Sequence, residues 1–201
     1  MRKFSNTYIF LYVSALVLLI CVVLAAVSIG LKSKREANVT REKYQQILKA
    51  AGYKDVPKKN TVSFFQEIAK PEKGDKTSEQ YHIRCADGKP GIVVRVQGKG
   101  LWGPIWGYVV LSEDKTTIKG VSFAHKSETP GLGAKITDDD FANAFIGKKL
   151  YDQNGTFTSV RVVKKGQEGD IRTENRVDAI SGATITSRGV DEMMGKLRIE
   201  N

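Results

Sequence analysis

Residues 8–31 carry the strongest hydrophobic pattern in the chain, an uncharged run dominated by leucine, valine, isoleucine and alanine. This run is longer than the roughly 20 residues that a helix needs to cross a bilayer. It also exceeds the ~7–15 apolar residues of a cleaved signal peptide, and no Ala-x-Ala cleavage site follows it. We therefore expect residues 1–31 to be a retained membrane anchor rather than a signal peptide or a buried core helix.

Two helical patterns follow the anchor. After a polar joint at 32–39, a helix is expected to open at Thr40, and Gly52 supplies its stop. The apolar face of this helix consists of Tyr44, Ile47, Leu48 and Ala51. A second, shorter helix is expected at 62–69, where a proline two residues later ends it.

Alternation of apolar and polar positions beyond these helices predicts a sheet. The connections are short and contain turn-forming residues, so the strands should form an antiparallel meander. The segment 98–107 holds four glycines and two tryptophans and is expected to be neither an ordinary strand nor a helix. A short helix is expected at 138–145. The predicted strands are 81–85, 92–97, 108–111, 118–123 and 157–163.

These elements predict an α+β fold class, with one N-terminal transmembrane helix followed by a single domain. The mainly antiparallel sheet of that domain should be flanked by helices. Along the chain we expect the anchor at 1–31, a stalk and linker helix region at 32–60, and the folded domain at 61–201. The charged segment 72–79 is expected to be a solvated loop.

The stretch 178–187 joins a small turn to a predicted C-terminal helix. Ser187 is the expected N-cap of that helix. The turn at 181–184 reads Ser-Gly-Ala-Thr, and a glycine-containing loop that feeds a helix N-terminus favours anions such as phosphate. From these residues alone the stretch is either a phosphate site or a plain turn. The apolar stripe of the helix recurs at i, i+3, i+4 and i+7, at Val190, Met193, Met194 and Leu197.

A second compact loop at 128–133 reads Glu-Thr-Pro-Gly-Leu-Gly. Pro130 fixes one backbone angle, and Gly131 and Gly133 permit conformations that other residues resist. Such a loop can present backbone N–H and C=O groups to a flat ligand. A tight turn without a ligand has the same composition, so the loop alone does not decide between the two.

Charge and cysteine content narrow the possible chemistry. The net charge of +10 comes from basic residues that are scattered and mostly interleaved with acidic ones, which argues against nucleic-acid binding. Cys21 lies in the apolar run and Cys85 stands alone beyond it, so no disulfide is expected within the domain. His82 and His125 lie far apart and outside any metal-ligand spacing, so no metal site is expected.

The order and spacing of these motifs resemble one family over nearly the whole chain. Asp-x-x-Ser-Gly-Ala-Thr at 178–184 looks like the signature at which flavin transferases attach FMN to a threonine. With the 128–133 loop and the single span, it resembles the FMN-binding domain shared by two proteins. These are the subunits designated C in the Na⁺-translocating NADH:quinone oxidoreductase and G in the RNF electron-transport complex. The 100–107 segment, the run through Asn38 and the Gln-Gln-Ile-Leu helix at 45–48 are more similar to the quinone-reductase protein.

The resemblance implies that Thr184 carries covalent FMN through a phosphoester and that the chain has no catalytic residue or metal of its own. Asp178 would assist attachment, and the turn around the threonine would be shaped by Ser181, Gly182 and Ala183. The isoalloxazine ring or its edge would lie against Thr129, Gly131, Leu132 and Gly133. Trp102 would neighbour the flavin, and Arg188 either pairs with the phosphodiester or is simply solvated.

Three hydroxyls, those of Thr184, Thr186 and Ser187, lie within four residues. Thr184 directly follows the two smallest residues of the turn, where a flavin phosphate and a transferase can both approach. Thr186 follows the bulky Ile185, and Ser187 is better used as a helix cap. Thr184 is therefore the expected acceptor.

The resemblance further implies an electron carrier that works between membrane subunits of an NADH:quinone reductase and is not catalytic alone. A flavin transferase would mature it. The domain would lie on the periplasmic side of the inner (cytoplasmic) membrane, whereas the basic residues that flank the span favour the cytoplasm. Three alternatives stay open. They are the corresponding subunit of the RNF complex, an extracytoplasmic sensor that binds FMN non-covalently, and an assembly subunit whose turn is never modified.

Overall fold

The chain divides into two compact units, Met1–Glu42 and Lys43–Asn201. The predicted loop at 72–79 lies outside the described residues. The division of the sequence at residues 31 and 60 stays a prediction. The computed structural model describes residues 5–54, 56–57, 60–71 and 80–197.

A single helix, α1 (Asn6–Ala50), runs without interruption through the predicted anchor and the stretch that follows it. The polar joint predicted at 32–39 is therefore wrong, because its lysine, arginine, glutamate and alanine residues are good helix formers. In the first unit the large apolar side chains of α1 are exposed, as they are on a helix that lies in lipid. Among the described residues, α1 is the one helix long and apolar enough to cross a membrane by length and composition.

The end of α1 lies in the second unit and confirms the predicted stop at Gly52. This glycine has a φ of +89°, in the left-handed region that favours glycine. Its N–H donates to the Lys49 carbonyl oxygen at 3.1 Å, and the Tyr53 N–H donates to that of Leu48 at 3.0 Å. This paired arrangement is the Schellman motif, which satisfies the last carbonyl groups of a helix.

The second unit is built on a five-stranded antiparallel sheet in the order β1-β2-β3-β4-β5. Because each strand pairs with the next one along the chain, the predicted meander is confirmed. The first strand was not predicted, since the short helix before it ends one residue earlier than expected. The elements are α2 Thr61–Ile68, β1 Ala69–Pro71, β2 Gln80–Arg84, β3 Pro90–Lys99, β4 Pro104–Leu111 and β5 Ile118–His125.

The glycine- and tryptophan-rich segment 98–107 is mostly strand, which corrects the sequence prediction. Only residues 100–103 lie outside β3 and β4, in a turn where the Gly100 N–H donates to the Gly103 carbonyl oxygen at 2.8 Å. Gly107 lies in β4, and a side chain at this position would have no room because the neighbouring strand fills the space above it. A Cβ at this position would lie 2.6 Å from the Phe123 ring.

Helices and two short strands cover one face of the sheet. The strands β6 and β7 pair in parallel, and β7 was not predicted. The strand predicted at 157–163 is wrong over its first half, because Ser159 has a φ of +58° that strand backbone does not adopt. The elements are α3 Asp139–Asn143, β6 Arg161–Val163, β7 Arg176–Asp178, α4 Thr184–Gly195 and 3₁₀ helices at Gly133–Thr137 and Thr173–Asn175.

Two hydrophobic cores lie on the two faces of the sheet. The predicted stripe is buried in the larger core, with Val190, Met193 and Met194 on α4 and Leu197 two residues beyond its end. Glycines set the position of α4 along β3. A Cβ on Gly189 would collide with the Lys99 carbonyl oxygen, and one on Gly98 would lie 3.0 Å from the Gly189 carbonyl oxygen. This close approach holds α4 against the end of β3, next to the 100–103 turn.

Candidate functional site

The Ser-Gly-Ala-Thr turn runs directly into α4, so Thr184 is the first residue of the helix and Ala183 is its N-cap. The prediction that Ser187 caps the helix is wrong, because the helix begins three residues earlier. The buried Ser187 hydroxyl instead accepts from the N–H of Ile180 at 3.0 Å. Gly182, with a φ of +79°, lets the chain reverse within the turn.

The three hydroxyls after the turn lie in different environments. Thr186 and Ser187 are each 2% exposed, whereas Thr184 is exposed to solvent. As a first-turn residue of α4, Thr184 also lies beside backbone N–H groups that have no partner within a helix. The exposed hydroxyl and these N–H groups together suit a phosphoryl group.

The loop at 129–132 folds onto this turn. The Thr129 carbonyl oxygen accepts from the N–H groups of Leu132 and Ala134, each at 3.1 Å. A Cβ on Gly182 would lie 3.0 Å from Leu132 Cδ2, so the two motifs that the sequence separates by about fifty residues are in contact. Thr129, Gly131 and Leu132 are all exposed beside the turn.

Gly133 has a different position from the rest of its motif. It is buried, and a Cβ there would lie 2.7 Å from Thr186 Oγ1 and would collide with Glu128 Oε2. Its lack of a side chain therefore makes room for a polar contact beneath the turn. This position accounts for glycine at 133 without any ligand.

Glu128 is the residue in this region that sequence analysis did not single out. The residue is buried, with 4% of its surface exposed. Oε2 accepts from Thr186 Oγ1 at 2.6 Å, and Oε1 accepts from the Trp102 N–H at 2.9 Å. The available signal was an acidic residue at the head of the 128–133 loop, but its partners lie 26 and 58 residues away along the chain.

Hydrogen bonding keeps the Glu128 carboxylate ionised. Burial acts to raise its pKa, but the hydrogen bonds from Thr186 and from the backbone N–H groups of residues 101–103 together act more strongly in the other direction. The pKa of Glu128 therefore lies below its ordinary value. A fixed negative charge thus lies directly beneath the start of α4.

Three segments meet at Glu128, and each presents a large apolar side chain to solvent. Trp102 is 67% exposed, Ile185 54% and Leu132 43%. An aromatic side chain and two aliphatic ones suit the faces and edge of a flat aromatic ring such as isoalloxazine. The residues present therefore fit a flavin held at Thr184.

Asp178 and Arg188 frame the turn. Asp178 is exposed at the end of β7, and Arg188 is exposed four residues after Thr184, on the same face of α4. Within the described part of the chain, Arg188 has no hydrogen-bond or ion-pair partner. A cation near the start of a helix is not favoured by the helix dipole, so the dipole does not account for a positive charge at this position.

Comparison with known proteins identifies the fold and the family. The family of FMN-binding domains matches residues 100–197, which include both loops and α4. A crystal structure of NqrC, the Na⁺-translocating NADH-quinone reductase subunit designated C, from Parabacteroides distasonis is 36% identical, with a TM-score of 0.74. The match covers 83% of this chain and 92% of the Parabacteroides distasonis chain. The chain thus contains an FMN-binding domain that follows a long apolar helix, and the predicted fold class is confirmed.

Two further relatives agree with this assignment. The NqrC crystal structure from Shewanella oneidensis is 30% identical, with a TM-score of 0.61, and covers 77% of this chain and 89% of its own. The corresponding subunit of the Na⁺-translocating NADH-quinone reductase from Vibrio vulnificus is 27% identical over 86% of this chain and 83% of that protein. The chain belongs to the NqrC family of Na⁺-translocating NADH-quinone reductase subunits.

Proposed function

We propose that this protein is a membrane-anchored flavoprotein subunit that carries FMN covalently on Thr184 and passes electrons between subunits of a respiratory quinone reductase. One observation carries the proposal. Of the three hydroxyls that follow the Ser-Gly-Ala turn, only Thr184 is exposed. Family membership supports FMN as the cofactor and a multisubunit reductase as the setting.

Attachment needs a nucleophilic oxygen that both a flavin phosphate and an enzyme can reach. Thr184 Oγ1 attacks the flavin phosphorus of a flavin phosphoanhydride that the transferase binds, and its proton goes to a base of the transferase. The P–O bond of the anhydride breaks, and the second phosphoryl group leaves with the remainder of that molecule. Asp178, exposed six residues before Thr184, would contact the transferase or its metal ion. Ser181, Gly182 and Ala183 provide a small, accessible approach to the hydroxyl.

Residues around the turn would hold the attached group. The N–H groups of the first turn of α4 and the Arg188 guanidinium would face the phosphodiester. Leu132 and Trp102 would contact the ring, with Thr129 and Gly131 supporting Leu132. FMN supplies the electron-transfer chemistry, while the protein determines its position and its surroundings.

The apolar part of α1 would anchor this carrier in the inner membrane, with the second unit on the periplasmic side. The membrane association follows from the 45-residue helix and its uncharged run. The assignment to the periplasmic side rests on family resemblance. The basic residues next to the apolar run instead favour the cytoplasmic side. Long domains cross membranes regardless of flanking charge, so the two statements are compatible.

Intact mass of the purified full-length chain, co-expressed with a flavin transferase, tests the covalent proposal. The expected result is an increment of one FMN on the parent chain and no increment after expression without the transferase. An unmodified mass under both conditions contradicts the proposal. Flavin that co-purifies but leaves on denaturation would instead indicate a non-covalent FMN-binding protein.

A further inference from the structure

One buried carboxylate joins the segments around Thr184. Glu128 accepts from the Thr186 hydroxyl at the start of α4 and from the Trp102 N–H in the 100–103 turn. Its own N–H donates to His125 Nδ1 at 3.2 Å at the end of β5. Leu132 of the same loop lies next to Gly182, so Glu128 connects the 100–103 turn, the 128–133 loop and the start of α4.

Two glycines make room for the Glu128 carboxylate. A Cβ on Gly100 would lie 2.5 Å from Oε1, and a Cβ on Gly133 would collide with Oε2. Burying a carboxylate costs several kcal/mol unless hydrogen bonds compensate for the lost water. Here a hydroxyl and backbone N–H groups supply that compensation. An apolar residue in the same space would leave the Thr186 hydroxyl and the Trp102 N–H without this acceptor, so the carboxylate holds the two segments together.

We propose that Glu128 is a positioning residue of the FMN site that also sets its electrostatics. It fixes the 100–103 turn against the start of α4, and its negative charge lowers the reduction potential of the flavin. This inference rests on the proposed function, since it takes FMN to be attached at Thr184.

The electrostatic part follows from the location of the charge. Reduction adds electrons to the flavin, and a nearby fixed negative charge disfavours that addition. Salt and water screen a buried carboxylate much less than an exposed one. Thr186, which donates to Glu128, lies two residues after Thr184, so the charge lies under the first turn of the helix that bears the attachment point.

The positioning part follows from the number of acceptor atoms. Two carboxylate oxygens allow Glu128 to accept from Thr186 on one side and from the 101–103 turn on the other. A glutamine keeps one acceptor oxygen for the 101–103 turn, and its NH₂ group can donate to the Thr186 hydroxyl, which also accepts. Glu128→Gln therefore removes the charge while it can keep both connections, whereas a shorter side chain cannot reach both.

Amide hydrogen exchange on the full-length chain tests the positioning role without any flavin. Protection of the Leu101, Trp102 and Gly103 amides should fall at least tenfold in Glu128→Asp, whose side chain is one methylene shorter. Thr186→Val leaves the carboxylate in place and should retain the protection of these three amides. Unchanged protection in Glu128→Asp overturns the positioning role, and Glu128→Ala decides it if Glu128→Asp does not fold.

The reduction potential of the flavin-loaded chain tests the electrostatic role. Glu128→Gln should favour the reduced flavin at least tenfold, which for a two-electron couple is a rise of about 30 mV. Thr186→Val and Glu128→Asp keep the charge and should stay near the parent potential. A Glu128→Gln potential equal to that of the parent, or an equal rise in all three variants, overturns this role.

The two proposals fail in distinguishable ways. A parent chain without the FMN increment contradicts the proposed function and the electrostatic role together, while the exchange experiment still supports or overturns the positioning role. A parent chain with the increment and a potential that does not respond to Glu128→Gln contradicts only the electrostatic role.

Discussion

At the scale of single residues, environment rather than residue type distinguishes the hydroxyls near the turn. Thr186 and Ser187 use their hydroxyls inside the fold, for Glu128 and for the Ile180 N–H. Thr184 faces solvent. Sequence analysis also favours Thr184, but part of its reasoning was an N-cap at Ser187, which the structure does not show. The burial of Thr186 and Ser187 is the better reason for Thr184 as the acceptor.

Leu132 offers a test of flavin contact that leaves the fold intact. Its side chain is 43% exposed, so Leu132→Ala should change the free energy of unfolding by no more than about 0.5 kcal/mol. If the ring lies against it, the variant should keep its covalent label while its flavin absorbance or potential shifts. The control is Ile146→Ala, at a residue that is 53% exposed on another part of the surface. Identical flavin properties in both variants would show that Leu132 does not contact the ring.

Acidification should weaken the Glu128 contribution in particular. Because the pKa of Glu128 is depressed in the folded state, its stabilisation is complete above the unfolded pKa of about 4.3 and is lost as the pH falls through the lower folded value. The difference in melting temperature between the parent and Glu128→Gln should therefore be constant near neutral pH and shrink below about pH 4.3. A difference that does not change down to about pH 2 would contradict this pH dependence.

At the scale of elements, local sequence patterns predicted those features of helices and strands that depend on residues close together in the sequence. The stripe of α4, the stop at Gly52 and the four long strands followed from spacing and turn residues. The start of α4 and the two-strand parallel pair did not, because each depends on contacts with distant segments. Glu128 shows the limit most clearly, since its partners lie in the 100–103 turn and in α4 and no local pattern connects them.

Two glycines of α4 should respond oppositely to the same substitution. Gly189→Ala would drive a methyl group into the Lys99 carbonyl oxygen and separate α4 from β3, at a cost of about 1–3 kcal/mol in the free energy of unfolding. Gly195, the last residue of α4, has open space where an alanine methyl group would lie, with no atom within 4 Å of it. Gly195→Ala should therefore be neutral or stabilising by up to about 1 kcal/mol. Denaturant titration of both variants measures this. Equal midpoints would mean that the close helix–strand approach is not constrained.

At the scale of the whole molecule, the proposed anchor and carrier domain predict a defined topology. Among the described residues α1 is the one helix long and apolar enough for a crossing, and the proposed function has the second unit outside the cytoplasm. Alkaline phosphatase fused after Asn201 should therefore be active, and a reporter that works only in the cytoplasm should be inactive at the same point. The reverse pair of results would place the domain in the cytoplasm and agree with the flanking charges.

The central claim is that Thr184 carries the flavin, and fluorescence of the denatured chain tests it most directly. Each variant would be expressed in full length with a flavin transferase and separated on a denaturing gel. Thr184→Ala should be dark. Ser181→Ala, which removes the other exposed hydroxyl of the turn, and Thr186→Val, which removes a buried one, should stay fluorescent. A fluorescent Thr184→Ala band would contradict covalent attachment at this residue.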